Sequence, residues 1–191
     1  MLRELATLTL LHYWNFNDIT SLSTFTNPTF SIGGGALNFD FTTVLGTLGY
    51  YDSTSATAST LNAQNGDPAG DALRIRNPSI DFIIAAPTTN YKNIVLTYAV
   101  ESSSATYAAL TDSIYYTTDG TTYTNAGLAT KSYDLTPFVD PNYTLETFDF
   151  SSIPAVNNNA NFKVKIVFSN GNLNTKGNDR FDNITVQGFH Q

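Results

Sequence analysis

The chain has 191 residues, no cysteine and a formal net charge of −7, and only 13% of its residues are charged. This balance argues against nucleic acid and anionic membranes as partners, because both are bound through clustered lysine and arginine. The lack of cysteine excludes disulfides, thiolate metal sites and cysteine catalysis. An acidic chain of this size, rich in threonine and tyrosine, instead favours one domain of strands and turns, with a cation or a neutral sugar as its ligand.

The first ten residues are largely apolar and predict either the first strand or the remnant of a leader. A complete signal peptide is not indicated, because the stretch is short, contains Glu4 and lacks a small-residue cleavage pattern. No segment is long enough to span a bilayer. The sequence therefore predicts either an intracellular protein or an exported one whose signal lies outside this sequence.

Alternation of apolar and polar residues runs through the rest of the chain, whereas helical periodicity is nearly absent. It is clearest in the segments ALRIRNP, YKNIVLTYAV and FKVKIVFSN. The residues predicted to face a core are Leu73, Ile75, Ile94, Leu96, Tyr98, Val100, Phe162, Val164, Ile166 and Phe168. Turn signals separate these segments, and Asp119-Gly120 predicts a hairpin between two arms rich in threonine and tyrosine. We therefore expect a single antiparallel β-sandwich domain over residues 1–191.

The last predicted strand, NDRFDNITVQG, places a carboxylate among apolar residues. Alternation puts Asp182 on the same face as Ile184 and Val186, which need a core. A buried carboxylate requires a cation or several hydrogen-bond donors to offset its desolvation. Backbone N–H groups or an arginine would serve as donors, and the available arginines are Arg180, Arg74 and Arg76. A calcium ion is the other alternative.

Several segments together resemble a known class of domain. They are HYWNFND near the start, GDALRIRNPS, APTTNYKNIVLTYAV, the hairpin IYYTTDGTTYT, YTLETFDFSSIPAVNNNANFKVKIVFS and the final GNDRFDNITVQG. In this order they resemble the galactose-binding-like jelly-roll β-sandwiches of secreted and cell-surface bacterial proteins, the fold class of many carbohydrate-binding modules. The resemblance spans residues 14–188, and it implies a jelly-roll fold and a secreted or cell-surface location.

The same resemblance implies a structural calcium ion that joins the two ends of the chain. Asp182 matches the carboxylate expected near the C-terminus. The oxygen ligands expected near the N-terminus are Asn15, Asn17 and Asp18. Such a set suits calcium, which takes roughly six to eight oxygen ligands and tolerates irregular geometry. Hydrogen bonding of Asp182 without a metal ion stays open beside this prediction.

The candidate residues for binding a sugar are aromatic and basic. Exposed aromatic rings stack on the apolar faces of sugars, while charged and carboxamide groups bind the hydroxyls. The candidates are Tyr115, Tyr116, Tyr123 and Tyr133 around the predicted hairpin, with Arg74 and Arg76 on one face of an earlier strand. Each tyrosine has a packing role as its alternative, and the arginines have pairing with acidic neighbours as theirs.

Catalytic signals are weak. The two histidines, His12 and His190, are far apart in the sequence, and no nucleophile-elbow, zinc-protease or nucleotide-binding motif occurs. We therefore predict a non-catalytic carbohydrate-binding module of an exported bacterial protein, with a polysaccharide or glycan as its partner. An adhesion or structural domain of a surface protein is the alternative, followed by a jelly-roll enzyme that degrades glycans. The sequence sets no oligomeric state.

Overall fold

The computed structural model describes residues 7–18, 26–39, 51–54, 58–77, 79–169 and 177–191, with residues 51–54 described as backbone alone. The strands are β1 Thr9–Trp14, β2 Phe30–Ser31, β3 Ala36–Phe39, β4 Tyr51–Thr54, β5 Ala72–Arg76, β6 Asp81–Ala85, β7 Tyr91–Ser102, β8 Thr111–Thr117, β9 Ser132–Asp134, β10 Thr144–Asp149, β11 Lys163–Ser169 and β12 Asn178–His190. A short 3-10 helix spans Pro154–Val156. No helix in these ranges is long and apolar enough to cross a membrane.

Within the described residues, the strands form two antiparallel sheets. In the seven-stranded sheet, five strands follow the order β10-β7-β12-β1-β2. Strand β5 also pairs with β12, and β4 pairs with β5. The five-stranded sheet has the order β3-β6-β11-β8-β9. The long strand β12 holds the first sheet together, because it pairs with β7 along one edge and with β5 and then β1 along the other.

The two sheets pack face to face around an apolar core, and this confirms the predicted antiparallel β-sandwich. All the residues that alternation assigned to the core are buried there, except that Phe168 is half-buried at its margin. Aromatic rings join the sheets: Phe82 on β6 meets Phe181 on β12 edge-on, with ring centroids 5.0 Å apart. The period-two pattern of the sequence therefore encodes which side of each strand faces the core.

The turn at Asp119-Gly120 forms, but the hairpin predicted around it is short. Gly120 has φ 86°, which glycine adopts without strain, and Oδ1 of Asp119 accepts hydrogen bonds from two of the backbone N–H groups that follow. Beyond the turn, the returning arm bridges β8 at Tyr116 and Thr124 and then departs from it. Because the ladder stops there, Tyr123 is not held in a regular strand.

A β-bulge in the last strand corrects the predicted orientation of Asp182. On β12, Asp182 and Thr185 are three residues apart, whereas their partners on β7 are only two apart. The extra residue is accommodated at Asn183, which has φ 49°. Phe181 and Ile184 therefore both reach the core, and Asp182 is buried on the outer side of the sheet. The prediction that it shares a face with Ile184 is wrong because alternation fails at a bulge.

Candidate functional site

The outer face of the five-stranded sheet carries a row of side chains that crosses three strands. The strand register places Lys165 on β11 opposite both Ile83 on β6 and Tyr115 on β8. All three residues are half-buried. They point away from the core, since the next residues along their strands, such as Ile114 and Ile166, are fully buried within it.

Tyr123 covers part of this row. The Nζ atom of Lys165 lies 4.2 Å from the centroid of the Tyr123 ring, within cation–π range. The same Nζ lies 3.7 Å from Oδ2 of Asp81. Burial and the negative charge of Asp81 raise the pKa of Tyr123, so its hydroxyl stays protonated and can donate a hydrogen bond. We call Asp81, Ile83, Tyr115, Tyr123 and Lys165 the tyrosine face.

Two of the predicted sugar-binding tyrosines lie in the core. Tyr116 and Tyr133 are only 6% and 9% exposed. The hydroxyl of Tyr116 donates to the carbonyl of Ala126 at 2.8 Å, and that of Tyr133 donates to Oδ2 of Asp112 at 2.8 Å. Neither ring offers an open face on which a sugar could stack. The structure corrects the prediction for these two residues, because both occupy the inward positions of their strands.

Arg74 and Arg76 lie on the opposite side of the sandwich from the tyrosine face. Both are half-buried residues of β5 in the seven-stranded sheet. They point outward, since Leu73 and Ile75 on the same strand are buried in the core. Arg74 is in register with Arg180 on β12, so it extends an outer surface that already carries charge. The predicted arginines and tyrosines therefore do not form one site.

The calcium ligands predicted near the N-terminus contact the loop that precedes β5. The Nδ2 atom of Asn15 donates to Oδ2 of Asp67 at 2.8 Å. The Nδ2 atom of Asn17 donates to a backbone carbonyl of the same loop at 3.1 Å, and Asp18 is exposed. Strands β1 and β12 are neighbours, so the fold brings the two ends of the chain together. As calcium ligands these residues stay a prediction.

Asp182 lies beneath the same loop. Its Oδ2 accepts a hydrogen bond from the backbone N–H of Ser59 and its Oδ1 accepts one from that of Asn183, both at 2.8 Å. These bonds agree with the alternative in which backbone donors offset the desolvation of the carboxylate. Burial nevertheless raises the pKa of Asp182 to about 7, and the negative charge of Asp71 adds to the rise. Asp182 therefore ionises only partly at neutral pH when no cation is nearby.

Oxygen donors that suit calcium are present around Asp182, but they do not form a complete cage. Asp182 and Asp71 supply carboxylates within electrostatic reach of each other, which is the hard-oxygen chemistry that calcium prefers. The amide groups of Asn15 and Asn17 instead donate to the loop. Among the described residues, no three histidine, aspartate or glutamate side chains are arranged to hold a metal ion.

Sequence reasoning missed Asn62, which fastens the loop to the outer side of the seven-stranded sheet. Its Nδ2 atom donates to the carbonyl of Asn183 at 2.7 Å and lies 2.9 Å from the hydroxyl of Thr185. Asn62 has φ 60°, a conformation that asparagine tolerates better than most residues. An asparagine in a turn-rich loop is the only signal in the sequence, and it does not indicate a contact with residues more than a hundred positions later.

Taken together, these features define a jelly-roll β-sandwich with an aromatic patch on one outer face. No protein-family model and no curated protein matches the chain. Among solved structures, it is similar to a cleaved adhesin domain of Lys-gingipain from Porphyromonas gingivalis, with 12% identity, a TM-score of 0.54 and coverage of 95% of this chain and 98% of that one.

The chain is also similar to two carbohydrate-binding modules. The first is the xylan-binding module CBM15, with 11% identity, a TM-score of 0.48 and coverage of 96% of this chain and 97% of that one. The second is the CBM22-1 xylan-binding domain from Paenibacillus barcinonensis, with 8% identity, a TM-score of 0.48 and coverage of 98% and 99%. The likeness to the adhesin domain confirms the expected fold.

Proposed function

We propose that this protein is a non-catalytic carbohydrate-binding module of an exported bacterial protein, and that its glycan binds on the tyrosine face. The observation that carries the proposal is the position of Tyr115 and Tyr123 beside Lys165 on one outer sheet face. Tyrosine rings in such a position can stack on the apolar face of a sugar, and the hydroxyl at the end of each ring can bind the hydroxyls of the sugar.

The charges on the tyrosine face favour a neutral glycan. Lys165 is the cation in the centre of the face, and Asp81 lies 3.7 Å from it. The nearby Lys163 donates to the carbonyl of Gly120 at 3.1 Å. Each positive charge is thus already engaged, and the whole chain carries a net charge of −7. An anionic polysaccharide would be repelled overall, whereas the hydroxyls of a neutral one can accept from Lys165 and donate to Asp81.

A structural calcium ion at the junction of the chain ends is a separate part of the proposal. It is supported by the mutual repulsion of Asp182 and Asp71, which a divalent cation would relieve. Thermal melts in millimolar calcium and in EDTA test it. A calcium-dependent rise in the midpoint that Asp182→Asn abolishes is expected, and equal midpoints in the two buffers would remove calcium from the account.

Affinity gel electrophoresis with a panel of soluble neutral polysaccharides tests the binding function. Retardation by at least one of them is expected, and Tyr115→Ala and Tyr123→Ala should each weaken it by about tenfold or more. Phe30→Ala is the matched control, because Phe30 is an exposed aromatic residue of the seven-stranded sheet. If no polysaccharide retards the protein, it is better described as an adhesion or structural domain without a sugar site.

A further inference from the structure

Two carboxylates lie inside the sandwich, one on each sheet, away from both sites described above. Asp112 is on β8, on the same side of that strand as the core residue Ile114, and is 0% exposed. Asp179 is on β12, on the same side as the core residue Phe181, and is 2% exposed. Both carboxylates therefore point into the space between the two sheets.

Each of these carboxylates is only half satisfied. Oδ2 of Asp112 accepts a 2.8 Å hydrogen bond from the hydroxyl of Tyr133, which in turn accepts one from the hydroxyl of Tyr98 at 3.1 Å. Asp179 is in register with Ser102 on β7, whose side chain lies within hydrogen-bonding reach. The second oxygen of each, Oδ1, is buried and has no hydrogen-bond partner among the described residues. A buried acceptor without a hydrogen bond destabilises the fold, so a proton or a cation is expected to bind these two oxygens.

Among the described residues, the titratable groups that face this pair supply no positive charge. They are Tyr98 from β7, Tyr133 from β9 and Glu146 from β10, and the charge of Glu146 adds to the repulsion felt by Asp112. Arg180, the neighbour of Asp179, turns to the outer side of its sheet, where it binds Glu101 and Asp140. Two ionised carboxylates would therefore repel each other across the core without compensation.

We propose that Asp112 and Asp179 share one proton and so form an acid-stabilised link between the two sheets. The Oδ1 atoms, which have no hydrogen-bond partner among the described residues, are the atoms that hold it. When the pH rises, the proton leaves to solvent and two negative charges remain in the core. The end of the sandwich where β12 begins is then loosened.

The pKa shifts at the pair are consistent with this link. Burial raises the pKa of Asp112 to about 7. Burial and the charge of Asp112 raise the pKa of Asp179 well above its usual range. A carboxyl whose pKa is higher in the folded than in the unfolded state stabilises the fold most at low pH, and this stability is lost as the pH rises toward the folded value. The direction is opposite to that of an ordinary salt-bridged aspartate.

Site-resolved NMR of the carboxyl carbons tests the proposal on the unmodified protein. The side-chain carboxyl signals of Asp112 and Asp179 are followed from pH 4 to pH 9 in calcium-free buffer with EDTA. At least one of them is expected to titrate with a midpoint above about 5.5, well above a free aspartate. If both midpoints lie below that value, the shared proton is ruled out.

Stability measurements with Asp112→Asn and Asp179→Asn provide the second test. Relative to either variant, the wild-type folding equilibrium constant is expected to fall by on the order of 100-fold between pH 5 and pH 8, since about two pH units separate pH 5 from the folded pKa. The exposed Asp149 gives the matched control, and Asp149→Asn should keep the wild-type change of the folding equilibrium constant with pH. Equal slopes in all the proteins would overturn the proposal.

A metal ion is the competing occupant of the pair. If calcium raises the wild-type midpoint at pH 8, and both Asp112→Asn and Asp179→Asn abolish that rise while Asp182→Asn keeps it, the pair holds a cation and the shared proton is wrong. A rise that is lost in Asp182→Asn and kept in the other two variants leaves the proton in place. The shared-proton proposal does not depend on glycan binding, so it can be wrong while the proposed function stands.

Discussion

The hydroxyl of Tyr13 donates a 2.8 Å hydrogen bond to Oδ1 of Asn183, which joins the first strand to the bulge of the last. The same hydroxyl accepts a 3.2 Å hydrogen bond from the backbone N–H of Gln64 in the loop before β5. Tyr13 is 1% exposed. One buried oxygen therefore connects both ends of the chain and the loop that covers them.

Tyr13→Phe should destabilise the protein by about 1–3 kcal/mol, because the buried Asn183 and the half-buried backbone N–H of Gln64 each lose a hydrogen-bond partner while the packing is nearly unchanged. Urea denaturation measures the loss. Tyr115→Phe is the control, since that tyrosine is only half-buried on the outer face of the other sheet. Equal stability of Tyr13→Phe and the wild type would show that the hydroxyl contributes nothing to the fold.

Substitution of Arg180 should destabilise the fold more than substitution of most other charged residues. Its Nη1 atom lies 2.7 Å from Oε1 of Glu101, whose side chain is 0% exposed, and 2.7 Å from Oδ2 of Asp140. Arg180→Met strands a buried carboxylate and should cost about 3–5 kcal/mol in chemical denaturation. Adding Glu101→Gln to this variant should recover part of the loss. A matched change in the longer, half-buried ion pair of Lys165 and Asp81, Lys165→Met, should have a smaller effect on stability.

His12 should make the fold sensitive to acid. Its Nε2 lies 2.9 Å from the carbonyl of Pro87, which can only accept, so Nε2 carries the proton and Nδ1 accepts from the hydroxyl of Ser31 at 2.8 Å. Burial lowers the pKa of this neutral imidazole. The stability that the neutral imidazole gives to the fold is therefore complete above pH 6.5 and is lost as the pH falls below that value.

The variant His12→Gln isolates this effect. The stability difference between wild type and His12→Gln should shrink steadily between pH 7 and pH 5, as measured by urea denaturation at each pH. A difference that stays constant over this range would mean that the imidazole is not held neutral in the fold.

The turn at Asp119 should control the position of Tyr123. Hydrogen bonds from Thr122, Thr121 and Thr117 lower the pKa of Asp119, so its carboxylate holds the turn at all but strongly acidic pH. Asp119→Ala removes these acceptors, and amide hydrogen exchange at Thr121 and Thr122 should accelerate. Asp119→Asn keeps one acceptor oxygen and should have a smaller effect. Unchanged exchange in Asp119→Ala would show that the turn is held by other contacts.

The sequence predicts the sandwich well because alternation is a local property of each strand. Ile94, Val164 and Ile166 face the core where their periodicity places them. The same rule applied along β8 puts Tyr116 on the side of Ile114, so its burial could have been predicted by counting from that residue. Its neighbour Tyr115 then falls on the outer face by the same count.

The surroundings of Asp182 could not be predicted in this way. Its orientation depends on a bulge at Asn183, and a bulge is visible only when the partner strand and its register are known. Its hydrogen bond with Ser59 joins residues 123 positions apart. The inter-sheet pair of Asp112 and Asp179 is likewise a product of the packing of two sheets, and no spacing in the sequence encodes it.

The most direct test of the proposed function is an NMR titration of the isotope-labelled protein with neutral xylo-, cello- and manno-oligosaccharides. The account predicts saturable changes in the amide signals of Ile83, Tyr115, Tyr123 and Lys165 with at least one of them. Phe30 and Arg74, on the other sheet, should show no change. Spectra that stay unchanged at millimolar oligosaccharide, or changes confined to the seven-stranded sheet, would contradict it.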